Sequence, residues 1–128
     1  MPIHIVRLGT PRIRREGLRI GTVRFPPRGV PKTRYASGNW YDVWMPDLAP
    51  SPATVKFAHQ AKTDADWRAY ERRYRREMAA PERRRLLDLL AALSKHADFS
   101  VGCYCDNERR CHRTILKSIL KDRGAVLA

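Results

Sequence analysis

Asp98-Phe-Ser-Val-Gly-Cys-Tyr-Cys105 is the stretch that decides the fold. It is apolar and shows little polar alternation, so it reads as a strand buried at the centre of a sheet. A loop over 106–110 follows. Cys111 or His112 then opens a helix whose apolar face is Ile115, Leu116, Ile119 and Leu120, with Gly124 as its C′ residue. A buried strand running through a short loop into an amphipathic helix is a building unit of α/β architecture.

Upstream, His4 to Leu8 alternates and is β-branched, which predicts a strand that Gly9-Thr-Pro11 ends. Leu18 to Arg24 predicts a second strand with Leu18, Ile20 and Thr22 on one face. Phe25 to Lys32 carries three prolines and Gly29 and cannot be regular structure. Trp40 to Trp44 is a short β-prone run, and the segment from Met45 to Pro52 is a loop. Ser51 and Pro52 suit the N-cap and first turn of a helix reaching about Gln60. Thr63 or Asp64 caps a longer helix to Ala80, with Trp67, Tyr70, Tyr74 and Met78 as its apolar stripe. Pro81 ends that helix and starts the next, whose leucines run to about His96. The prediction is a single α/β domain over residues 1–128, a small mixed sheet flanked by helices.

With 43% hydrophobic and 30% charged residues, the chain is expected to fold as a soluble protein and not to be disordered. No apolar run approaches the roughly 20 residues that cross a bilayer, and the N-terminus lacks a secretory pattern. The expected setting is the cytosol, with no membrane partner. Lys and Arg number 26 against 13 Asp and Glu, a net charge of +13 that attracts polyanions, nucleic acid first among them.

All three cysteines lie between 103 and 111. Cytosolic thiols stay reduced, so a metal site or a reactive thiol explains such a cluster better than a disulfide does. The cluster runs from a strand's carboxyl end to a helix N-terminus, the place where open α/β sheets bind ligands. Unpaired helix N–H groups and Arg109, Arg110 and Arg113 make it an anion site that also favours a thiolate. Cys103 is the first candidate nucleophile and Cys111 the second. His112 is the candidate acid–base group, with Asp106 or Glu108 to orient it. Cys103 and Arg109 match the spacing of a cysteine-phosphatase loop, but the glycines that let such a loop wrap a phosphate are missing. No cofactor is expected. The alternative is zinc or an iron–sulfur cluster on Cys103, Cys105, Cys111 and His112, whose spacing is unlike the usual paired pattern. Buried cysteines that only pack are a further alternative.

The loop from Arg24 to Lys32 holds Arg24, Arg28 and Lys32 on a backbone stiffened by proline, a second anion-binding element. Arg68, Arg72, Arg73, Arg75, Arg76 and Arg83 to Arg85 read mostly as a solvated helical face.

Arg24-Phe-Pro-Pro-Arg-Gly-Val-Pro-Lys32, the Asn39-Trp-Tyr-Asp-Val-Trp44 segment, the Trp67-to-Tyr74 helix and Cys103 with Cys111-His112-Arg113 occur together. In this combination, over about 18–120, the chain resembles the YeaO-like branch of domain-of-unknown-function family 488. The resemblance implies a compact α/β domain with a mixed sheet and marks Arg28, Gly29, Cys103, Cys111, His112 and Arg113. The family has no settled activity, so no catalytic role carries over. Many members have Glu where this chain has Cys105. The expected function is binding of a phosphorylated ligand, a small molecule or nucleic acid, in a pocket joining the Arg28 loop to the Cys103–Arg113 loop, with cysteine-dependent chemistry on it. The alternatives are a non-catalytic metal module and a protein-interaction module.

Overall fold

The computed structural model describes residues 2–105 and 110–128. Asp106, Glu108 and Arg109, named above as candidates, lie outside the described residues. Four strands and four helices follow in order: β1 Ile3–Arg7, β2 Leu18–Gly21, β3 Val43–Trp44, α1 Pro52–Gln60, α2 Asp64–Met78, α3 Pro81–Leu93, β4 Phe99–Cys103 and α4 His112–Asp122. Among the described residues no helix is long and apolar enough to cross a membrane.

The α/β class is as expected, and β4 is the central buried strand: all five of its residues are buried. The sheet order is β1-β4-β2-β3. Every pairing between these strands is parallel, with Ile3 opposite Phe99, Ile20 opposite Val101 and Ile20 opposite Val43. This corrects the expectation of a mixed sheet. No two consecutive strands are joined by a tight hairpin, so each connection returns to the starting edge and the next strand runs the same way. β2 and β3 are also shorter than predicted, and Leu18 is exposed while Ile20 is buried.

Strand residues alternate between faces, so the two sides of the sheet differ. Ile3, Ile20, Phe99 and Val101 form one core with Tyr74 and Met78 of α2, Leu87 and Leu90 of α3, and Leu116, Ile119 and Leu120 of α4. Each such aliphatic side chain contributes about 1.5–3 kcal/mol by leaving water. The other side carries Arg19 and Ser100, opposite each other in the ladder. Arg19 is fully buried there against Glu16, with Nε–Oε1 at 2.6 Å and Nη2–Oε2 at 2.9 Å. Ser100 Oγ donates to the same carboxylate at 2.8 Å. Arg19 Nη1 also donates to the carbonyls of Thr10 and Asn39, at 2.9 and 2.7 Å, so one guanidinium ties two loops to the sheet.

The helix ends follow the sequence closely. Ser51 caps α1 through Thr54 N–H with Pro52 in the first turn. Thr63 and Asp66 form a reciprocal capping box on α2. Gly124 follows α4 at φ 81°, the left-handed conformation that glycine adopts without strain. Gly102 has a different role. It lies opposite Val6 and Gly21, and a Cβ there would stand 2.5 Å from the Val6 carbonyl oxygen. The central strand is therefore tightly flanked just before Cys103.

Candidate thiol site and anion pocket

A parallel sheet puts all its carboxyl ends on one edge. Here that edge opens into a cavity of about 880 Å³. Its walls include Arg7 at the end of β1, the loop after β2, Trp67 and Tyr70 of α2, and Cys103, Cys105, Cys111 and His112. Arg28, Cys103 and His112 thus line one cavity.

Cys103 ends β4 and Cys111 is the N-cap residue of α4. Both are buried, packed with Leu8, Val23 and Tyr41. One ligand atom each from Cys103, Cys111 and His112 lie within 4.8 Å of one another. His112 Nε2 stands 2.6 Å from the Thr22 carbonyl oxygen. A carbonyl can only accept, so Nε2 carries the proton and Nδ1 keeps its lone pair, 3.9 Å from Cys111 Sγ. The ring is buried against Tyr74, with centroids 5.5 Å apart. Burial lowers its pKa against the Thr22 bond, which holds the ring neutral.

The three sulfurs interact by hydrogen bonding. The Cys103 thiol donates to Cys105, which with burial pushes Cys103 up to about 11. Hydrogen bonding with Cys103 and Cys105, together with burial, pushes the Cys111 thiol up further. Cys105 accepts from both and lies near the charge of Arg113, so it lies far below an ordinary thiol. Cys105 is also the exposed member of the three. Hydrogen bonding thus lowers Cys105 and raises Cys103 and Cys111, which favours ionisation at Cys105, two residues beyond the nucleophile expected from sequence.

The expected anion-binding residues divide. Arg28 lines the cavity beside Gly29, whose φ is 75°. Arg24 lines it too, but its Nε and Nη2 donate to the carbonyls of Pro50 and Ala49 at 3.0 and 3.3 Å, so it also fastens the chain. Arg110 lines it, paired with Asp64 at 3.2 Å. Lys32 starts a short 3-10 turn outside the lining. Arg113 is buried behind the cavity, with its Nη1 unpartnered among the described residues. Arg68, Arg72, Arg76, Arg84 and Arg85 are exposed, as a solvated face requires. Arg7, Trp40 and Tyr104 line the cavity without having been singled out for it. Only Arg7 had a signal: it ends a strand beside β4.

The Cys103–Cys111–His112 group could hold a metal. A fixed Nε2 proton, an Nδ1 lone pair facing Cys111 and two thiols suit a soft or borderline ion, and folding brings together ligands that look poorly spaced in sequence.

No curated protein and no solved structure matches the chain. The family model described as the active DUF488-N3 subclade matches residues 3–124, nearly the whole chain. The motifs that frame this cavity thus carry a family identity, and the chain belongs to the DUF488 family, in its N3a subclade.

Proposed function

We propose that this protein binds a phosphorylated ligand, a nucleotide or nucleic acid, in the cavity at the carboxyl edge of its sheet and acts on it by thiol chemistry. The observation that carries the reading is that Arg28, Cys103 and His112 line one cavity. Arg28 and Arg110 supply fixed positive charge for phosphate. Cys105 supplies the thiolate, and Cys103 sets its charge by donating S–H to it. His112 offers Nδ1 as the local proton acceptor. The subclade's description as active agrees with a working site. Reduced thiols fit a cytosolic setting. The test is binding of a short oligonucleotide across a salt series, together with mapping of alkylated cysteines at neutral pH. The expected result is a steep loss of affinity with salt and first labelling at Cys105. A weak response that salt does not change, up to micromolar protein, overturns ligand binding. Thiols that react only on unfolding overturn the chemistry.

The donor set of Cys103, Cys111 and His112 favours a second reading, a zinc or iron–sulfur centre with Cys105 as the fourth ligand. Elemental analysis of protein purified without chelator decides it. Less than about a tenth of an equivalent of metal rules it out, since a structural site stays filled.

A further inference from the structure

Charge alone does not describe the cavity wall. Phe25, Trp40, Trp67 and Tyr104 also line it. Each of the last three is held in place. Trp67 meets Tyr70 edge-on at 5.1 Å, and the Arg110 guanidinium stands 5.6 Å over its ring. Trp40 meets Tyr104 edge-on at 5.9 Å and closes against Gly9, where a Cβ would lie 2.9 Å from the indole. Tyr104 Oη donates to the Phe25 carbonyl at 2.9 Å, which ties that wall to the proline loop carrying Arg28. The Trp67 Nε1–H is buried and has no acceptor among the described residues. A site for phosphate alone has no use for fixed aromatic faces or a spare indole donor. A planar heteroaromatic ring attached to phosphate uses all of these: a face to stack on, a guanidinium over it, an acceptor for the N–H and cations beside it. The volume, about 880 Å³, holds far more than one anion.

We propose that the cavity takes an unpaired nucleobase, stacked at Trp67 and Arg110, with its adjoining phosphates on Arg28. The inference rests on the reading that the cavity binds a phosphorylated ligand, and names the part that confers preference. Inside a duplex the stacked neighbours cover both faces of a base, so the source is a single strand or a free nucleotide.

The full-length chain is titrated with a single-stranded oligonucleotide, an abasic strand of equal length, a mononucleotide, ribose phosphate and inorganic polyphosphate. Stacking of one base predicts the abasic strand and polyphosphate to bind about 5- to 150-fold more weakly than the oligonucleotide. Trp67→Ala should remove that preference, so that base-bearing and abasic strands bind alike. Quenching of indole emission by the oligonucleotide should persist in Trp44→Phe, whose indole lies outside the cavity and donates to the Val23 carbonyl. A mononucleotide that binds by the same factor over ribose phosphate identifies free nucleotide as the source. Preference seen only in the oligonucleotide identifies a strand. Equal binding of abasic and base-bearing strands by the wild type overturns the base slot and leaves phosphate binding standing, whether or not the Trp67 variant folds. No binding of either strand overturns both.

Discussion

Replacing Arg19 by Met should show how much of this fold rests on one buried charge. The guanidinium satisfies both carboxylate oxygens of Glu16 and the carbonyls of Thr10 and Asn39. Without it, a carboxylate only 2% exposed keeps the Ile13 N–H and the Ser100 hydroxyl and loses its countercharge. Stranding one member of a buried pair costs about 3–5 kcal/mol. A domain of this length has roughly 6–19 kcal/mol in all, so the loss is a large share of it. At about 3–5 °C per kcal/mol for this size, Tm should fall by roughly 10–25 °C. Urea and thermal unfolding followed by tryptophan emission measure this. The double variant Arg19→Met/Glu16→Gln should recover much of the loss, because the stranded charge is gone.

The pH dependence gives an independent check on the same pair. In the wild type, burial raises the Glu16 pKa, but the Arg19, Ile13 and Ser100 hydrogen bonds outweigh it and hold it below 4.5. Glu16 therefore contributes stability above its ordinary pKa, and this is lost as pH falls through the lowered folded value. In Arg19→Met burial prevails, the pKa rises, and the variant's deficit should shrink as pH drops from 7 towards about 5. A loss under about 1 kcal/mol at neutral pH, or a double variant as weak as the single, would refute the reasoning.

Alkylation of Cys105 should be nearly independent of pH between about 5 and 8, because its thiolate persists there, whereas an ordinary thiol slows tenfold per unit below its pKa. Cys103→Ala removes a donor and should restore part of that slope, read by mass spectrometry of rate-limited labelling. Gly102→Ala places a methyl 2.5 Å from the Val6 carbonyl oxygen, so β1 must shift, and stability should fall by about 1–3 kcal/mol in denaturant titration. Thr63→Ala breaks the capping box of α2 and should cost about 1 kcal/mol, seen as a lower Tm by circular dichroism with the cavity unaffected.

What could be read from sequence was local. β4 was legible because a short apolar run, too brief for a helix and rich in β-prone residues, fits a strand buried on both faces. Helix starts were legible where Ser51, Thr63 and Pro81 act within one turn of themselves. The sulfur cluster was legible because strand end, loop and helix start are consecutive in the chain. Strand direction was not: periodicity marks a strand but not its neighbour, and β4 pairs with β1 and β2 from about eighty residues away or more. For the same reason Trp67 read only as part of a helix's apolar stripe, and Trp40 as part of a short β-prone run, whereas the fold sets both on the wall of the cavity that Cys103 lines. The burial of Arg19 was hidden too, since arginine is abundant and nothing local separates it from the surface set. The lowering of the Cys105 pKa depends on hydrogen bonds from Cys103 and Cys111, a geometry that spacing does not encode.

The sheet order has a consequence for how the protein is made. The strand between β1 and β2 is the last of the four to leave the ribosome. Until residues 99–103 emerge, β1 has no strand beside it, and β2 has only the two-residue pairing with β3. Nascent chains shorter than this cannot build the sheet, however long they wait, because the missing piece is its middle. The thiols follow directly behind that strand. They therefore reach their neighbours as the sheet closes, and Cys103 and Cys111 are covered only once its middle strand is in place.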